Sequence, residues 1–175
     1  MAPADPLTGD AAWALYEDVS ERNPARDRRR AREFDAFVAG AAGRLLHAAT
    51  LLTAEPAGVN PYAQQLLTAA LARTYADWDR LRGEDPYDRT RQELANRFAR
   101  GAWRHPRARD GVLARLSPQE RLILVLRLYE GVAEEQTAAL LGIPADRVRA
   151  ICTRAVAVMR STPPRPPAAR LRAAS

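Results

Sequence analysis

From Phe34 onward apolar residues recur at spacings of three and four: Phe34, Phe37, Val38, Ala41, Leu45, Ala48 and Leu52. That period puts them on one face of an amphipathic helix. Glu55-Pro56-Ala57-Gly58 reads as a turn, and Asn60-Pro61 opens a second helix. Leu67, Leu71, Tyr75, Trp78 and Leu81 form its stripe, with Gly83 as its stop. Asp85 is placed to cap a third helix with Pro86 at the first position. Leu94, Phe98 and Ala102 face inward from it. Ahead of these, Asp10 to Glu21 predicts a short helix carrying Trp13, Tyr16 and Val19, broken at Asn23-Pro24.

The pattern is most informative between Leu116 and Arg160. Ser117 suits an N-cap, Pro118 the first helical position, and Glu120 completes a capping box. Leu122, Ile123, Leu126 and Tyr129 make the apolar stripe, and Gly131 ends the helix. Two more helices come after it. Ala138 is small enough to let a second helix cross closely, and Gly142 stands where the chain must turn. Val148 and Ile151, with Leu141 and Ile143, face back into the angle between them. Those offsets predict a helix-turn-helix, the geometry that places a helix in the major groove. An ordinary αα-corner would share the pattern.

Charge sharpens the picture. The 175 residues carry a formal charge of +6. Every one of the 27 basic residues is arginine, which suits a polyanionic partner and also fits the coding bias of a GC-rich genome. Arg89, Arg91, Arg97, Arg100, Arg104, Arg107 and Arg109 crowd the third helix and the residues just beyond it, against Asp88 and Glu93. Tyr87, Phe98 and Trp103 are interleaved with them. Arginines track a phosphate backbone, and aromatic rings stack on exposed bases. The run Arg26 to Arg32 is expected to be a solvated helix start.

Enzyme chemistry finds no footing. His47 and His105 have no metal-ligating partner at useful spacing, and His47 is expected to be structural. A lysine-free chain cannot hold a phosphate-binding loop of the lysine type. Neither cofactor nor metal is expected. Cys152, the single cysteine, is expected as a small, half-buried helix residue without a disulfide. The N-terminal stretch lacks the basic and apolar regions of a signal peptide, and no apolar run approaches membrane-spanning length. The expectation is a cytoplasmic protein with no membrane partner.

On these residues the chain resembles the extracytoplasmic-function group of sigma-70 type RNA polymerase sigma factors. LSPQERLILVLRLYEG, the helix pair after it and DRVRAICTRAVAVMR are similar to the family's region four. FDAFVAGAAGRLLHAATLLTA, ALARTYADWDRL and DPYDRTRQELANRFARGAWR resemble region two, with Leu94-Ala95-Asn96 and Trp103-Arg104 the closest local matches. The resemblance implies an all-α fold of two small helical domains. Residues 1–32 are an extension, 33–104 the region-two-like domain, 105–115 a short linker, 116–161 the region-four-like domain, and 162–175 a disordered, Pro-rich tail. It implies promoter DNA and RNA polymerase core as partners, with an anti-sigma or other regulatory protein as a further one. Ala145, Asp146, Arg147, Arg149, Thr153 and Arg154 would meet the upstream promoter element. Arg89, Arg97, Arg100, Trp103 and Arg104 would meet the downstream one. Gln64 and Gln65 occupy the polymerase-docking position.

Two departures bear on that implication. The family has an acidic cluster at the start of the second helix; here there is no carboxylate from Ala57 to Ala76. The segment Arg104 to Asp110 is short, reaching about 25 Å when extended. They leave open an alternative: a degenerate sigma-like regulatory protein that binds DNA or a partner without directing initiation.

Overall fold

The computed structural model describes residues 10–56, 58–81, 83–101 and 112–161, with side chains from Pro24 onward. Among the described residues six α-helices follow one another: α1 Asp10–Thr53, α2 Pro61–Ala76, α3 Pro86–Gly101, α4 Pro118–Leu124, α5 Glu134–Leu141 and α6 Ala145–Arg160. A 3₁₀ turn at Trp78–Arg80 follows α2, another at Val112–Arg115 precedes α4, and a π-helical turn at Val125–Tyr129 extends α4. Among the described residues there is no strand, and the all-α expectation holds.

Two boundaries differ from the sequence reading. The break at Asn23-Pro24 does not occur: α1 runs through Pro24 without ending. Proline removes one donor and crowds the carbonyl four residues back, but the turns after it are anchored from outside. Arg26 and Arg30 both pair with Asp79, at 3.4 and 3.6 Å. The Arg30 guanidinium also lies 4.3 Å from the Tyr75 ring centroid and donates to the Tyr75 carbonyl. The second difference is the end of α2, which stops at Ala76 rather than Gly83. The chain tightens there so that Trp78 meets Phe34 edge-on at 5.1 Å and Phe37 at 5.5 Å. Asp77, buried at the junction, gathers Arg73 and Arg89 at 3.1 Å each and Arg80 at 3.7 Å.

The local caps follow the chemistry. Asp85 accepts from the Tyr87 N–H at 2.9 Å and starts α3. Asn60 makes no side-chain cap bond to α2. Glu55 caps it instead, accepting from the Tyr62 and Ala63 N–H groups at 3.1 and 2.8 Å.

Helices α1, α2 and α3 pack as a three-helix bundle around Leu45, Leu52, Leu67, Leu94 and Phe98. The same buried cluster continues into Leu122, Val125, Leu126 and Val132 of the C-terminal half. The two helical units therefore meet through a common core. Ile123 and Leu124 turn the other way, toward α5 and α6, so α4 is a layer shared by both units.

One correction concerns hydropathy. Within α1, Pro24–Thr53 is long enough to span a bilayer, and its most apolar window has a mean hydropathy of 1.3. The helix instead supplies Ala41, Leu45, Ala48, Ala49 and Leu52 to the bundle core, which accounts for its apolar content.

Candidate nucleic-acid interface

The C-terminal unit is built as its sequence dictates. Ser117 has extended backbone, its hydroxyl accepts from the Glu120 N–H at 3.3 Å, and the Glu120 carboxylate accepts from the Ser117 N–H at 2.8 Å. This reciprocal pair fixes where α4 begins. Burial works to raise the Glu120 carboxyl, but hydrogen bonds from Ser117 and the Arg154 guanidinium outweigh it and hold the group below the usual carboxylate range.

Gly142 ends α5 in the left-handed region, φ 64° and ψ 33°, where its N–H bonds to the Ala138 carbonyl. Ile143 N–H donates to the same carbonyl at 3.2 Å. The turn swings α6 across α5, and Val148 and Ile151 close the angle against Ala138 and Ile123. Leu141 and Ile143 flank this small core, as expected. At the far end of α6, Arg115 donates to the Ser161 carbonyl at 2.6 Å and to its hydroxyl at 2.7 Å.

A Cβ added at Gly142 would meet no atom within 4 Å. The cost of Gly142→Val is therefore in the backbone alone, about 1–2 kcal/mol, with β-branching at the upper end. The expected result is a lower melting temperature for the C-terminal unit, read by circular dichroism.

Burial splits α6 cleanly. Val148, Ile151 and Ala155 are buried; Asp146, Arg147, Arg149, Thr153 and Arg154 are exposed, and Ala145 is half-buried. Asp146, Arg149 and Thr153 share one line along the helix, and Arg147 and Arg154 the next. The sequence places all of these in one patch, and the structure brings them together. The sequence gives no sign of their partners. Arg149 is gripped by Glu134 at 2.7 Å and Arg154 by Glu120 at 3.0 Å. Among the described residues Arg147 has no ion-pair partner. It borders a cleft of about 380 Å³ with Gln119, Ala150 and Arg154. Separations of 15 and 34 residues leave those pairings without a sequence signal, although Glu120 is itself legible as a cap.

On α3 the candidate arginines are also paired. Arg89 meets Asp77 at 3.1 Å, while Arg97 and Arg100 both approach Glu93, at 2.7 and 3.8 Å. Phe98 is fully buried and is core rather than a stacking platform. Trp103, Arg104 and His105 lie outside the described residues, as do most of the linker, the tail and the side chains of Trp13, Tyr16 and Val19. Gln64 and Gln65 are both exposed, but Gln64 already donates to the Asn60 side chain at 2.9 Å. His47 is exposed and stacks on Tyr129 at 5.1 Å. Cys152 is half-buried, and burial raises its thiol.

A capped helix, a left-handed glycine turn and a following helix with one arginine-rich exposed face define a helix-turn-helix DNA-binding protein. The sequence model of Sigma-70, region 4 matches residues 112–161. The chain is 28% identical over 153 aligned residues to the RNA polymerase sigma-E factor of Streptomyces coelicolor, covering 73% of this chain and 84% of that protein. The RNA polymerase sigma-E factor of Streptomyces avermitilis matches with the same identity, over 73% of this chain and 83% of its own. No solved structure matches. Residues 112–161 thus carry a Sigma-70, region 4 domain, and over most of its length the chain is similar to the sigma-E factors of these two Streptomyces species.

Proposed function

We propose that this chain directs RNA polymerase core to promoters and initiates transcription without catalytic chemistry of its own. The single observation that carries the reading is α6. It is a helix-turn-helix second helix with Arg147, Arg149 and Arg154 on its exposed face, inside the segment matched by sigma-70 region 4. In this reading Ala145, Asp146, Arg147, Arg149, Thr153 and Arg154 meet the upstream promoter element in the major groove. Arg89, Arg97 and Arg100, with Trp103 and Arg104, meet the downstream element. The exposed start of α2, at Gln64 and Gln65, faces the polymerase. The proposed units are residues 33–104 and 116–161. Promoter binding places the protein in the cytoplasm, where an anti-sigma protein would compete for the same surfaces.

Run-off transcription with purified core on genomic fragments tests the reading. The expected result is discrete start sites that appear only when core and this chain are both present. The start of α2 favours a second reading. It presents amides where the family presents carboxylates, and charge complementarity sets on-rate and specificity. Sequence-specific DNA binding with no transcripts on any fragment would replace initiation by this regulatory role.

A further inference from the structure

The two acidic partners of the α6 arginines are held in different ways. Glu120 is fixed before it meets Arg154. Its Oε2 accepts from both the Ser117 N–H and the Ser117 hydroxyl, at 2.8 Å each, and its side chain is 12% exposed. The other oxygen, Oε1, accepts from Arg154 Nε–H at 3.0 Å. Capping and pairing thus use opposite oxygens of one carboxylate, and a swing toward either partner is opposed by the other. Arg154 spends only Nε on the contact. Its two Nη groups make no hydrogen bond among the described residues. The residue borders the cleft of about 380 Å³ that Gln119, Arg147, Ala150 and Ile151 complete. Glu134 behaves otherwise. It takes Arg149 by Nε at 3.3 Å and by Nη2 at 2.7 Å, which occupies one whole edge of the guanidinium. Among the described residues no second hydrogen bond or ion pair anchors the Glu134 carboxylate.

We propose that Glu120 is a positioning residue for DNA recognition: from α4 it holds Arg154 by Nε, so that the paired Nη groups are set in advance for two adjacent acceptors on the duplex. The fork defines the partner chemistry. Two parallel N–H groups match two oxygens of a backbone phosphate, or the O6 and N7 of guanine. A long side chain that is free before binding must be immobilised when it meets DNA, and that loss weakens binding by about twofold to tenfold. Arg154 gives up part of that freedom on folding instead. The Glu120 charge opposes the phosphates, but it is met by three donors at one carboxylate, which stabilise the charged form and mute it toward DNA. Glu120 and Glu134 therefore act with opposite sign on one helix. The first presets its arginine for the duplex, and the second competes with the duplex for its own.

The inference rests on the reading of α6 as the promoter-contacting helix, and its test needs DNA but no polymerase. Glu120→Gln removes the charge and leaves an amide that still completes a capping box at the third helical position, so α4 keeps its start. Anisotropy titrations compare the full chain and its variants on a duplex selected from random sequence and on an unrelated duplex. Glu120→Gln is expected to bind the selected duplex about twofold to tenfold more weakly. Arg154→Ala is expected to lose at least as much, and Glu120→Gln to add nothing to that loss when the two are combined. A loss confined to the selected duplex identifies the guanine edge as the acceptor; a loss on both duplexes identifies a phosphate. If Glu120→Gln melts early, Arg154→Lys serves in its place. The position is 67% exposed, the charge is kept, and one ammonium cannot both pair with Glu120 and present a fork. It is expected to lose the same factor. The proposal is overturned if folded Glu120→Gln binds the selected duplex as tightly or more tightly, if Arg154→Lys binds it unchanged, or if Glu120→Gln costs the same with and without Arg154. Failure of transcription with the expected binding changes intact would count against the initiation reading alone.

Discussion

Phe98→Ala is expected to lower stability by about 3–5 kcal/mol, and to loosen both units rather than one. Phe98 is fully buried on α3, in the cluster that also contains Leu122, Val125, Leu126 and Val132. Removing the ring leaves a cavity that the neighbouring helices can fill only in part, so the transfer loss and the cavity loss add. For a chain of this size the melting temperature should fall by on the order of 10 °C. The second half of the expectation is the sharper one. Trp78 packs on Phe34 and Phe37 of the first bundle, so its fluorescence follows that bundle. Amide hydrogen exchange in α6 follows the second unit. A common core predicts that both signals weaken together in Phe98→Ala. The comparison is Leu128→Ala, a position 64% exposed, where less than about 0.5 kcal/mol is expected. Full protection in α6 beside a destabilised first bundle would show that the units fold independently and that their contact adds little.

Legibility follows sequence distance. The Ser117–Glu120 box spans three residues and is readable, because both partners compete for the same helix end and nothing remote is involved. Gly142 is readable because one backbone conformation selects one residue. The Val148 and Ile151 pair is readable because helical period alone decides which face they share. The α2 terminus is harder: Asn60 is the residue type a cap prefers, yet Glu55 reaches across the turn and does the capping. Pro24 misleads for a related reason. Its local effect is disruptive, and the compensation comes from Asp79, some fifty residues away. The buried Glu130 carboxylate accepts from the Tyr87 hydroxyl at 2.9 Å and lies 3.7 Å from Arg44. This cluster leaves no trace in the pattern, since Tyr87 and Arg44 lie 43 and 86 residues from Glu130. A glutamate ahead of a glycine reads as a solvated helix end until the other unit is placed against it. The packing of the units is hidden likewise. Leu122 and Leu126 fit an ordinary amphipathic stripe, and periodicity does not say which neighbour covers it.

The exposed arginines of α6 should divide by what each gives up to reach DNA. Arg149 starts in an ion pair with Glu134 at 2.7 Å, with the arginine 70% exposed. Exposed pairs are worth about 0–1 kcal/mol, whereas a bidentate contact to guanine discriminates by about 1–3 kcal/mol. Duplex contact therefore wins, and Glu134 acts as a competitor that weakens binding. Glu134→Gln is expected to raise promoter affinity, up to about fivefold for 1 kcal/mol. Arg147 has no such competitor among the described residues, so its removal should lose the whole of its contact. Arg147→Ala is expected to weaken binding by about 1–3 kcal/mol, roughly fivefold to 150-fold. If it reads a base, the loss is confined to sequences carrying that base. If it holds a phosphate, the loss is uniform and the salt dependence becomes shallower by about one ion. Arg149→Ala should cost less than Arg147→Ala by the energy of the Glu134 pair, and the difference should vanish in the Glu134→Gln background. Fluorescence anisotropy titrations at several salt concentrations measure Glu134→Gln and both arginine variants, in each background, on one duplex. Equal losses for the two arginines in both backgrounds would mean that Glu134 does not compete, and that Arg149 is already released when the helix meets DNA.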